Sequence, residues 1–191
     1  MLNDALHFLI TTVFNLFTFL LLLRFYMQWL KAPFQNPLAQ MCMALTDFIV
    51  KPTRKWIPSW KQLDVSTLLL ALLVQCVLYF LLMAMVGFSS LMSSPSTWLQ
   101  LLVTAGFGLV KLSIDLFFYV IFLQAILSWV NPNTPISGVL NALSRPILAP
   151  IRRLVSPVNG FDFSGIIALI LLQMVNISVV PHLERYLNSI F

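Results

Sequence analysis

Pro52-Thr53-Arg54-Lys55, followed by Leu63-Asp64-Val65-Ser66, is restated 98 positions later as Pro150-Ile151-Arg152-Arg153, followed by Phe161-Asp162-Phe163-Ser164. The same offset carries Gln75 to Gln173, Pro37 to Pro135 and Ala44 to Ala142, and an offset of 100 carries Trp29 to Trp129. Each copy joins two long apolar segments through one basic, proline-punctuated stretch. The chain therefore reads as a duplicated helical hairpin, with repeats over residues 1–97 and 98–191.

Of the 191 residues, 60% are hydrophobic and 9% charged, which leaves too little polar surface to cover a water-soluble globule. Residues 6–30, 65–88, 99–130 and 166–187 are apolar over lengths near the ~20 residues that cross a bilayer. Lipid offers no partner to open backbone groups, so these stretches are expected to be helices. The expected fold is an all-α membrane protein with four transmembrane helices arranged as two tandem hairpins. The start, MLNDAL, has no Lys or Arg and precedes a long apolar run, so no cleavable signal peptide is expected. Cys42 and Cys76 lie in different segments without a CxxC pattern and read as free, packed thiols.

The net charge of +5 is unevenly placed. Lys31, Lys51, Arg54, Lys55 and Lys61 lie between the first two spans, and Arg145, Arg152 and Arg153 between the last two; residues 87–97 carry no charge. The positive-inside bias puts both basic connections in the cytoplasm and both termini outside. Two spans per copy make the copies co-oriented, related by an approximate axis along the membrane normal. Cations this close to the bilayer are expected to meet anionic lipid headgroups. Nucleic acid ranks last among the partners considered.

Each basic connection carries a helical stripe: Leu38, Met41, Leu45, Phe48 and Ile49 in residues 37–51, and Ile136, Val139, Leu140, Leu143 and Ile147 in residues 135–149. Pro37 and Pro135 suit early helical positions, and the helices are expected to stop near Pro52 and Pro150. The preferred reading is an amphipathic helix lying in the cytoplasmic interface, level with a belt of Trp29, Trp56, Trp60 and Trp129. A re-entrant element lining a cavity is the alternative.

Arg54 and Asp64 are separated as Arg152 and Asp162 are. Asp64, Ser66, Asp162 and Ser164 precede or open apolar spans, where their oxygens suit the free N–H groups and the dipole of a helix start. The arginines are expected to fold back on the aspartates and pin the interfacial helix to the next span, one basic residue of each pair (Arg54 and Lys55, Arg152 and Arg153) doing this and the other facing lipid phosphate; the alternative is that the whole basic pair faces lipid phosphate.

These residues resemble the YggT family, whose members carry one or two hairpins with a motif of the form S-W, P, L, P-x-R-R and D-x-S. The second copy supplies Ser128, Trp129, Pro135, Leu143, Pro146, Pro150, Arg152, Arg153, Asp162 and Ser164. The first copy departs, with Gln28 for the serine, Asp47-Phe48 for Arg145-Pro146, and Lys55 for the second arginine. The resemblance covers nearly the whole chain. It implies a multi-pass protein of the bacterial inner membrane with a supporting role in membrane-complex or envelope organisation, and it names no reaction.

Lys111 and Asp115 fall near the middle of the third span, one turn apart. A charge at the bilayer centre costs ~2.5–3.5 kcal/mol, so both must face protein or water. Asn15 and Arg24 are matched, at offset 100, by Asp115 and Gln124. Polar contacts are expected where the copies or subunits meet, with Gln75 and Gln173 as further polar groups in spans two and four. The alternative is a proton or cation path past Asp115 and Lys111. His7 and His182 lie near the outer surface without a surrounding ligand cluster, and the sequence has no HExxH, phosphate loop or nucleophile constellation. The expectation is a protein that is not an enzyme and holds no metal or cofactor, serving as a membrane scaffold or assembly factor through self-association or membrane-protein partners. A small oligomeric channel or transporter is the alternative.

Overall fold

The computed structural model describes residues 2–57, 63–86, 95–131, 133–155, 163–182 and 185. Its elements are helical throughout: α1 (Leu2–Trp29), α2 (Pro37–Trp56), α3 (Val65–Val86), α4 (Pro95–Val130), α5 (Ser137–Leu154) and α6 (Ser164–Met174), the last running into a π-helical turn at Val175–Val179. Four of them, over Leu2–Trp29, Val65–Met85, Thr97–Ser128 and Ser164–His182, are long and apolar enough to cross a membrane, so the chain is a multi-pass membrane protein.

α3 packs on both α1 and α4, α4 packs on α6, and the shorter α2 and α5 lie against α1 and α4 respectively. One apolar core joins Leu21, Leu22 and Met27 of α1 to Leu116 and Val120 of α4 and to Leu140 and Leu143 of α5. The seam between the first and third spans is aromatic: Tyr26 meets Phe117 edge-on at 4.8 Å between ring centres, and Phe19 meets Tyr119 at 6.3 Å.

α1 ends in a Schellman turn. Ala32 N–H reaches Met27 C=O at 2.9 Å and Lys31 N–H reaches Gln28 C=O at 3.3 Å, with Lys31 at φ 53° in the left-handed position where glycine is usual. A side chain is disfavoured there, so Lys31→Gly is expected to stabilise the fold by about 0.5–1 kcal/mol, read as a raised Tm in detergent.

The connecting helices differ from expectation at their ends. α2 runs through Pro52 to Trp56, and α5 runs through Pro146 and Pro150 to Leu154. A proline removes one N–H and crowds the preceding turn, a loss that is smallest near a helix end, where Pro52 and Pro150 lie; Pro146 sits inside α5. Beside Pro52, Thr53 Oγ1 donates to Ile49 C=O at 2.7 Å. Pro37 does open α2, with the Asn36 side chain accepting from Ala39 N–H at 2.9 Å, whereas Pro135 lies two residues before α5. Buried Ala39, Cys42, Thr46 and Val50 form the inward face of α2, while Met41, Leu45 and Phe48 are exposed. The core-facing positions are thus offset from the apolar stripe, because polar Thr46 takes a place that Arg24 requires.

Candidate functional site

The end of the first half where α1 meets α2 holds two arginines in separate polar clusters. Arg24 is only 5% exposed, on the face of α1 that α2 covers. Its Nη1 donates to Thr46 Oγ1 at 2.7 Å and lies 2.8 Å from Asp47 Oδ1, whose other oxygen pairs with Lys51 Nζ at 2.7 Å. The contact to Asp47 Oδ1 is ionic rather than a well-directed hydrogen bond, since the donor is aimed at threonine. Thr46 passes the link on, donating to Cys42 C=O at 2.7 Å. Lys51 beside Asp47, with Arg24 behind it, holds that carboxyl below the usual range. Burial pushes the nearby Cys42 thiol up to about 11, against the opposing charge of Arg24.

The second cluster ties three elements together. Arg54 Nη2, on the last turn of α2, donates to Gln28 Oε1 of α1 at 2.8 Å and also to Asp64 Oδ2, immediately before α3. Asp64 is fully buried and accepts from the hydroxyls of Ser66 and Thr67 as well. Its Oδ1 also caps α3 by accepting from Thr67 N–H at 3.4 Å. Burial alone would raise the Asp64 pKa, but the bonds from Arg54, Ser66 and Thr67 and the arginine charge outweigh it, and the net shift is downward. A depressed carboxylate contributes stability that is complete above the ordinary aspartate value of about 3.9 and is lost as pH falls below it through the depressed value. Tm in detergent is therefore expected to drop steeply below about pH 4, and more shallowly in Asp64→Asn.

Asp162 of the second half, and with it the expected Arg152–Asp162 contact, lies outside the described residues, as do Trp60 and Lys61 of the first connection. Arg152 and Arg153 are exposed on the last turn of α5, and Ser164 is buried at the start of α6. Gln124, matched to Arg24, donates from Nε2 to Asn141 Oδ1 of α5 at 2.6 Å. The two matched positions thus both tether a connecting helix. Lys55, Trp29 and Trp56 are exposed. Trp129 lies in the last turn of α4.

At membrane depth Gln75 and Asp115 each bond to residues of their own half. Gln75, 1% exposed, donates from Nε2 to Asn15 Oδ1 at 3.1 Å and to Thr18 Oγ1 at 3.2 Å. Asp115 Oδ1 accepts from Asn176 Nδ2 of the π-helical turn at 2.8 Å. Gln173, the positional match of Gln75, is exposed; Asn176, one turn further on, faces Asp115 instead. The seam is closed by rings because aromatic edges and faces satisfy one another without polar partners. Lys111 is half-buried on α4.

Gly108 of α4 lets Gln75 stand there. A Cβ at this position would come within 2.9 Å of Gln75 Oε1 and 3.0 Å of Tyr79 Oη. Because Gln75 is fixed by two bonds to α1, Gly108→Ala is expected to destabilise by about 1–3 kcal/mol, measured as lowered Tm in detergent.

Among the described residues no three His, Cys, Asp or Glu side chains converge as metal ligands. His182 Nδ1 sits 2.6 Å from Ser178 C=O, and His7 lines a cleft at the other end of α1 from Arg24. Among the residues that sequence reasoning missed are Gln28, Thr46, Asp47 and Thr67, and the partners Thr18, Asn141 and Asn176. A signal existed for Asp47: where the first half has Arg24 for Gln124, it has Asp47 for Arg145, so one charge change answers the other.

A model of the CCB3/YggT family matches residues 3–85 and 103–183. The protein named YggT in Escherichia coli strain K12 is 36% identical over 189 residues, covering 98% of this chain and 95% of its own. A Vibrio alginolyticus protein is 34% identical over 174 residues, 91% of this chain and 92% of its own, and one from Haemophilus influenzae is 34% identical over 172 residues, 87% of each. No solved structure matches. With four membrane-length helices and a family match over both halves, the chain belongs to the CCB3/YggT family.

Proposed function

We propose that this chain is a non-catalytic scaffold or assembly factor of the bacterial inner membrane, acting by self-association or by holding other membrane proteins. In this reading the two halves are tandem, co-oriented repeats. Both termini lie outside, and α2 and α5 rest in the cytoplasmic interface against anionic headgroups. The observation that carries it is how little of each span the chain covers itself: within the apolar windows the buried share is only 17–28%. Exposed Phe8, Leu16, Val110, Tyr119, Ile170 and Ile177 leave broad apolar faces for lipid or for other helices. The double anchoring of α2 supports the same reading, since a helix fixed at Arg24 and Arg54 presents one defined inner surface. Crosslinking in native membranes, followed by mild solubilisation and native mass spectrometry, is expected to give a homo-oligomer or a membrane-protein complex. A solitary monomer under both conditions counts against it.

A second reading, a small oligomeric channel or transporter with a polar path near Asp115 and Lys111, draws on one observation. A π-helical turn brings Asn176 onto Asp115, and such turns recur at functional positions. Ion flux into liposomes that disappears in Asp115→Asn favours conduction; equal background flux in both favours the scaffold.

A further inference from the structure

We infer that the first half contains an outward-opening hydrated cleft between α1 and α3, which admits water to the depth of Gln75 and ends on a leucine seal. The outward direction rests on the membrane orientation proposed above; the cleft itself does not.

Asp4, His7, Thr11, Asn15 and Thr18 recur at intervals of three and four, so they share one face of α1. That face is turned to α3, because Asn15 and Thr18 both bond to Gln75. At its open end lies a cavity of about 560 Å³ lined by Asn3, Asp4, His7 and Tyr79, with Leu82 and Met85 at its side. At about 30 Å³ per molecule this volume holds on the order of ten to twenty waters. Exposure falls along the polar stripe: Asp4 and His7 are exposed, Thr11 and Asn15 half-buried, and Thr18 fully buried.

Thr11 lies one helical turn from His7 of the cavity and one turn from Asn15 of the Gln75 cluster. Its Oγ1 is buried yet has no protein partner, although Thr18 and Ser113 on comparable turns bond back to Phe14 and Leu109 carbonyls at 2.9 and 2.8 Å. A buried hydroxyl left unsatisfied is costly, and water entering from the cavity satisfies it. Beyond Thr18 the stripe stops. Leu21 and Leu22 are 0% and 1% exposed, and Ala71, Leu70 and Val74 of α3 are buried as well, so no polar group continues toward Arg24.

The test uses the full chain with Cys42 and Cys76 replaced by alanine, which must itself be silent, and single cysteines at positions 11, 13, 15 and 22. A membrane-impermeant methanethiosulfonate is added to right-side-out and inside-out vesicles. From the outside, Thr11→Cys and Asn15→Cys are expected to react at least about tenfold faster than Val13→Cys, whose position is exposed on the lipid side, while Leu22→Cys stays unreactive. The cleft is overturned if position 11 reacts no faster than position 13 from either side, and the seal if position 22 matches position 15. Labelling at 11 and 15 only from the opposite face supports the cleft and overturns the proposed orientation.

Discussion

Asp64→Ala lowers stability by about 2–4 kcal/mol, with the loss visible as a large drop in Tm in detergent and as increased protease cleavage after α2. The magnitude follows from what the carboxylate holds. Breaking a fully buried ion pair costs about 3–5 kcal/mol, because the partner is left charged and unpaired. Arg54 retains its bond to Gln28 and stays 36% exposed, which reduces the penalty. Against that, Ser66 and Thr67 lose their acceptor and α3 loses its cap, which adds about 1 kcal/mol. Asp64→Asn keeps an oxygen for Thr67 N–H and is expected to lose less. Lys55→Ala, at an exposed position, is expected to change Tm little. Equal Tm for Asp64→Ala and wild type would remove the three-way tie between α1, α2 and α3.

Arg24→Ala is expected to cost about 3–5 kcal/mol and to release α2 from α1. The guanidinium is almost wholly buried and contacts both Thr46 and Asp47, so its removal strands polar groups on the inward face of α2. Arg24→Gln, which installs the residue found at the matched position of the second half, keeps a donor within reach of Thr46 and is expected to recover a substantial part of the loss. Hydrogen exchange across residues 37–56 discriminates local release from global unfolding: the alanine variant should lose protection in α2 before α3. Uniform loss in both helices would show that Arg24 supports the whole bundle rather than one tether.

Much of the architecture was legible because lipid removes alternatives. Four runs near twenty apolar residues have one satisfactory backbone solution, and the structure has helices of membrane length at each. The Arg54 to Asp64 spacing could be read as a possible contact because both residues flank one connection. Gln28 could not, since its side chain reaches Arg54 only after α1 and α2 are laid together. Asp115 was visible as a charge needing a partner, but Asn176 was not, because the π-helical turn alters which residue of the last span faces α4. The stop expected at Pro52 failed for a local reason: proline penalises a helix interior, and here only one further turn had to be kept.

The sequence by itself determined that this is a multi-pass helical membrane protein, because hydrophobic length against bilayer thickness is a one-dimensional quantity. It also determined where charge is permitted, since cations cluster in two connections and are absent from the third. Only the tertiary structure decided which polar groups satisfy one another: Gln75 with Asn15 and Thr18, Asp115 with Asn176, Arg24 with Thr46 and Asp47. Those choices depend on helix rotation and approach, set by packing at residues such as Gly108 and by the aromatic seam, and no spacing along one chain encodes them alone.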